Sequence, residues 1–156
     1  MWMSKLSIRW KITAGLALLT LFIAVLGVLN YEALSRLQSN NQGFSTHLMP
    51  AAEVVLNADR DLYQALTAQQ EGLLETQSAG LEDHYKDFDE NVGQALDRMH
   101  KFLLLMAPYP EVVSQFGGFD QRFETWHQQA AEVFTLLRKG DKAAAQVQHD
   151  KALTLF

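Results

Sequence analysis

Residues 12–30 read ITAGLALLTLFIAVLGVLN, nineteen positions without a charge. At about 1.5 Å of rise per residue such a run spans about 30 Å, the thickness of a bilayer's hydrocarbon core. Three cations, Lys5, Arg9 and Lys11, precede it, and no acidic residue appears before Glu32. Because cationic flanks stay on the cytoplasmic side, this asymmetry predicts a cytoplasmic segment 1–11, a transmembrane helix 12–30 and an exported segment 31–156. The expected location is the inner membrane, with residues after 31 in the periplasm. A cleaved signal peptide fits less well, since its apolar core is about 7–15 residues and ends in a small-x-small site. Here the run passes into Leu29-Asn-Tyr-Glu32. A buried core helix fits less well again, because so even an apolar circumference is rare in a soluble domain.

Beyond the anchor about 125 residues remain, enough for one domain with a core. A net charge of -5 argues against a nucleic-acid partner, which requires a basic face. With no cysteine there are no disulfides, zinc-thiolate sites or thiol nucleophiles, and the redox compartment is left undecided. Three prolines, nine glycines and the absence of strand-like alternation point to an all-helical fold.

The helical reading rests on spacing. From the anchor onward, apolar residues recur in steps of three and four at Leu34, Leu37, Phe44, Leu48, Ala51, Val55, Ala58, Leu62, Ala65 and Gly72, interrupted by Asn41 and Gln69. Such a period marks a helix in a coiled-coil-like bundle. Large residues on one flank (Leu48, Val55, Leu62) and small ones on the other (Ala51, Ala58, Ala65, Gly72) predict a close helix neighbour, which suits a dimer seam. Pro50 predicts a bend near Thr46–Pro50. A second seam, Leu81, Tyr85, Phe88, Val92, Ala95, Met99, Phe102, Met106, follows a break at 76–80 with Ser78 as N-cap, and Pro108 and Pro110 end it. The third runs Val112, Phe116, Phe119, Phe123, Trp126, Ala130, Val133, Leu137 as one helix, loosened at Gly117-Gly118. Lys139-Gly140-Asp141 then reads as a glycine stop and an aspartate N-cap for a fourth helix from Lys142.

The predicted fold is therefore all-α: a transmembrane helix continuing into an antiparallel up-down four-helix bundle whose fourth helix is truncated. The first helix runs about 45 residues beyond the membrane, roughly 68 Å, and the second and third about 26–29 each, roughly 40 Å. About 16 residues of the fourth cannot return to the bilayer, so a natural chain extending about thirty helical residues further to a second membrane helix is expected.

This layout resembles the sensor half of methyl-accepting chemotaxis proteins with a four-helix-bundle ligand-binding module. The resemblance is carried by the basic start and anchor, by Leu56-Asn-Ala-Asp-Arg-Asp-Leu-Tyr-Gln-Ala65, and by Phe119-Asp-Gln-Arg-Phe-Glu-Thr-Trp126 with Val133, Leu136, Gly140-Asp141 and Ala143 to Ala145. It implies an inner-membrane homodimer that binds a small polar or anionic solute outside the cell. It also implies a signal to a cytoplasmic kinase through a linker and helical hairpin, neither of which this sequence contains. Similar bundles front sensor histidine kinases and nucleotide cyclases, and a partner-binding bundle without a small-molecule ligand stays open as a third reading.

Counting from the distal turns places Arg60, Arg98 and Arg122 at similar heights, where guanidiniums suit a carboxylate or phosphate. Asp59, Asp61 and Asp97 lie near enough in sequence to make these interhelical salt bridges instead. The resemblance favours Arg60 at a dimer interface, with Tyr63 and Gln64 beside it. Trp126 lies on a core seam, where an aromatic is ordinarily packing, and is a lesser ligand candidate. His47, His84, His100, His127 and His149 lack the spacing of bundle metal sites, so no metal or other cofactor is expected. No phosphate loop or nucleophile motif occurs, so the chain reads as a binding module and not an enzyme.

Overall fold

A computed structural model describes residues 7–155. Lys5 of the basic cluster and Phe156 lie outside the described residues. Within them every regular element is helical. The chain divides into two units between Ser45 and Thr46.

The first unit is helix α1, Ile8–Gly43, in which no residue is buried. Its leucines, isoleucines and Phe22 point outward all round, a surface that water would not stabilise and a bilayer would. The few polar side chains in the apolar run satisfy themselves. Thr13, Thr20 and Asn30 each donate to the carbonyl four residues earlier, at Arg9, Leu16 and Leu26, over 2.9–3.0 Å.

A π-helical turn, Phe44–Leu48, leads into α2, Met49–Leu74, with Pro50 in its first turn. Proline has no N–H for the carbonyl of Thr46, and the hydrogen-bond ladder next to it widens into this π turn.

The second unit continues with α3 (Ser78–Leu105), a short α4 (Pro110–Val113) running into the 3-10 turn Ser114–Phe116, α5 (Phe119–Arg138) and α6 (Lys142–Leu153). Ser78 begins α3 but caps nothing. Glu75, at the C-terminus of α2, instead closes the turn before it: its Oε1 accepts from the N–H groups of Thr76 (2.6 Å) and Gln77 (2.8 Å). Those bonds, Gln77 first, hold the Glu75 carboxyl below the usual carboxylate range, and His84 and Lys142 add attraction. A depressed folded value stabilises the turn at pH above the ordinary carboxylate range and is lost as pH falls through the depressed one. The stability deficit of Glu75→Gln should therefore hold from pH 7 down to the ordinary carboxylate range and shrink only as pH falls below it, as followed by thermal unfolding.

The third helix is not continuous. Gly118 takes φ 73°, a left-handed conformation that only glycine adopts without strain, and breaks the seam between Phe116 and Phe119. Arg122 Nη1 donates to the carbonyl of Gly117 across the break, 2.9 Å. At the start of α6 the expected cap is present: Gly140 has φ 80° and Asp141 accepts from the N–H of Ala144, 2.9 Å.

The core lies in two clusters. One centres on Phe88, Phe134, Val133, Trp126 and Ala65, the other on Ala51, Val54, Phe102 and Met106. The small flank of α2 (Ala51, Ala58, Ala65, Gly72) is buried in this core and so is not free to form the dimer seam expected of it. A Cβ on Gly72 would stand 2.9 Å from Cε1 of Phe134, which shows how closely α5 approaches there. The buried face of α2 also differs from the apolar reading at alternate positions: Val54, Asp61 and Ala68 face inward, while Val55 and Leu62 are half-buried.

Candidate functional site

Asp61 is fully buried, at a heptad position that hydropathy alone would give to an apolar residue. A buried carboxylate requires partners. Arg60 supplies two, Nε at 3.3 Å and Nη2 at 3.0 Å from Oδ1, and Arg98 of α3 brings Nε to 2.5 Å from Oδ2. The latter is an ion pair without hydrogen-bond alignment, since Oδ2 has no hydrogen-bond partner. Two guanidiniums against one carboxylate leave the cluster with a surplus positive charge. It falls along α2 between the two apolar clusters, after Val54 and before Ala65.

Of the six candidate residues, Arg60 and Arg98 are thus brought together on Asp61, with side chains 56% and 30% exposed. Tyr63 and Gln64 lie on the outer face of α2. Gln64 borders a polar groove with Thr67 and Glu71 of the same helix and Asp87 and Asn91 of α3. Arg122 and Trp126 meet elsewhere. They line a cavity of about 220 Å³ with Leu62, Phe119, Phe123 and Leu155. Trp126 is itself buried, edge-on to Phe123 at 5.5 Å, so most of its ring serves the core. Asp59 and Asp97, expected as further counter-ions, are exposed and form no ion pair with these arginines.

A second polar arrangement was not legible in the sequence. Gln69, an interruption in the seam, is buried; its Oε1 accepts from His149 Nδ1 of α6 (2.6 Å) and its Nε2 donates to the Ala130 carbonyl of α5 (2.8 Å). Because the amide nitrogen is committed to a carbonyl, the oxygen must face His149, which fixes the proton on Nδ1. Each of the other four histidines also reaches across to another element. His84 approaches Glu71 and Glu75, His100 meets Asp120, His127 lies near Asp89, and His47 contacts the Leu105 carbonyl. Among the described residues no group of three His, Cys, Asp or Glu side chains is arranged to hold a metal ion.

A helical bundle preceded by a helix long and apolar enough to cross a membrane, with a surplus arginine charge on its outer face, has the build of a membrane-tethered solute sensor. Over residues 2–155 the sequence matches the family described as Tar ligand binding domain homologue, and the chain belongs to that family. It is a chemoreceptor ligand-binding sensor domain, of a kind that is periplasmic in membrane chemoreceptors. The family is one of receptor sensors, not of catalysts. No curated protein and no solved structure matches the chain.

Proposed function

We propose that this chain binds a small polar or anionic solute outside the cell and passes the event across the inner membrane by a ligand-biased helix displacement. In this reading residues 1–11 are cytoplasmic, 12–30 cross the bilayer, and 31–156 form the periplasmic sensor. A solute that binds two conformations unequally shifts their balance by its differential affinity, so the module needs binding and no catalysis. A cytoplasmic signalling kinase receives the output.

The observation that carries the reading is the exposed Arg60 guanidinium, oriented by a buried carboxylate and flanked on α2 by Tyr63 and Gln64. A homodimer supplies the other wall. Met49, Leu56 and Tyr63 are seven residues apart and 61%, 70% and 56% exposed, an outward-facing stripe at heptad spacing that suits the same stripe of a second copy. Pairing along it sets Arg60 beside the seam, where one solute can touch both protomers.

The test is a metabolite screen by thermal shift on the full chain in detergent, followed by calorimetry. A solute that binds only the folded form raises the melting temperature. Arg60→Glu should abolish that rise and lower affinity by at least about tenfold, given that charge-assisted hydrogen bonds contribute about 1.5–3 kcal/mol. Unchanged binding in a folded Arg60→Glu chain would remove Arg60 from the site.

A further inference from the structure

We propose that Asp61 is a built-in occupant of the anion seat between Arg60 and Arg98, so that an oxyanion arriving at Arg60 from outside must compete with it. The inference rests on the reading of Arg60 as the solute-facing residue and adds to it a resident competitor and a mechanical consequence.

Three observations carry it. Asp61 is fully buried, seven residues from the equally inward-facing Val54 and Ala68, yet its Oδ2 has an ion-pair contact and no hydrogen bond. The carboxylate is therefore held chiefly by charge and by Arg60. Arg60 spends Nε and Nη2 on Oδ1, through bonds of 3.3 and 3.0 Å, leaving the remaining donors of a guanidinium that has five on a side chain 56% exposed. Finally, the cluster's surplus of one positive charge matches one external carboxylate and attracts sulfate or phosphate, whose oxygens accept from the same guanidinium donors that Asp61 now engages.

The consequence follows from where the three residues sit. Arg60 and Asp61 are on α2 and Arg98 is on α3. An oxyanion that draws Arg60 outward leaves Asp61 to Arg98 alone. Binding at the surface thereby alters the contact between two helices in the layer that separates the two apolar clusters. Asp61 sets both the threshold for binding and the element that binding moves.

The experiment uses sodium sulfate as the probe, titrated by calorimetry into the full chain in detergent at constant ionic strength. Asp61→Asn keeps the shape and removes the competing charge. At contact distance one unit charge is worth well over a factor of ten at the effective dielectric of about 20 typical near a protein surface, so sulfate affinity should rise at least about tenfold. Adding Arg60→Gln should cancel the gain. Arg98→Gln, which hands Asp61 wholly to Arg60, should weaken sulfate binding below that of the natural chain and serves as the readout if Asp61→Asn fails to fold by circular dichroism. Equal or weaker sulfate affinity in a folded Asp61→Asn chain, a gain that survives Arg60→Gln, or tighter binding by Arg98→Gln would overturn the proposal. If Asp61→Asn gains affinity through Arg60 while Arg60→Glu leaves the response to screened solutes intact, the occupied seat stands and the receptor site lies elsewhere. The reverse pattern keeps the receptor site and removes the competitor.

Discussion

Replacing Phe134 with alanine should lower the unfolding free energy by about 3–5 kcal/mol, the range for deleting a buried aromatic. Phe134 is completely buried, with ring centroids of Tyr85 and Phe88 at 5.2 and 5.3 Å. It joins three helices: the rings are on α3, it stands on α5, and its Cε1 lies beneath Gly72 of α2. Gly72 has no side chain with which to fill the void, so the hole would persist and the cost should fall in the upper half of the range. Urea unfolding of the full chain in detergent, followed by circular dichroism, measures the loss. A loss below about 1 kcal/mol would mean that α5 does not pack on α2 as described.

The second large effect concerns the buried amide. Gln69→Leu leaves His149 with a buried donor and no acceptor, which costs about 1–3 kcal/mol. His149→Leu strands Gln69 Oε1 in the same way. The double replacement removes both polar groups at once and should cost less than the sum of the two, because an apolar pair of similar volume can be nearly neutral. Strict additivity in the double-mutant cycle would show that the two side chains do not meet. Since α6 buries only Ala145, His149 and Ala152, this bond is the main feature fixing its register against α2.

Large apolar side chains made most of the fold readable. The α3 seam from Leu81 to Met106 and the α5 seam from Phe119 to Leu137 lie inside as their spacing requires, with Tyr85, Met99 and Phe119 half-buried. The stop at Gly140 and the cap at Asp141 follow from local chemistry and needed no tertiary information. On α2 the sequence misleads for a physical reason. Its inner face carries Asp61 and Gln69, polar residues stabilised only by partners distant in the chain, Arg98 on one hand and Ala130 and His149 on the other. A hydropathy pattern cannot see such partners and so chose Leu62 and Val55 in place of Asp61 and Val54. The glycine pair at 117–118 signalled weakness, but the split at the left-handed Gly118 goes with a tertiary division, Phe116 packing on one apolar cluster and Phe119 on the other. Of the candidate site, the pairing of arginines with a nearby aspartate was legible, whereas the burial of that aspartate was not.

The central claim is that the bundle stands outside the cell on a membrane helix. Residues 1–156 contain no cysteine, so Ser78→Cys, exposed at the start of α3, introduces a single thiol among them. Treating intact cells with a charged maleimide that does not cross the inner membrane should label this thiol as fully as it does after lysis, on a protein that sediments with membranes. Labelling only after lysis would place the bundle in the cytoplasm, and labelled protein released in soluble form without its first thirty residues would show that the apolar helix is removed rather than retained.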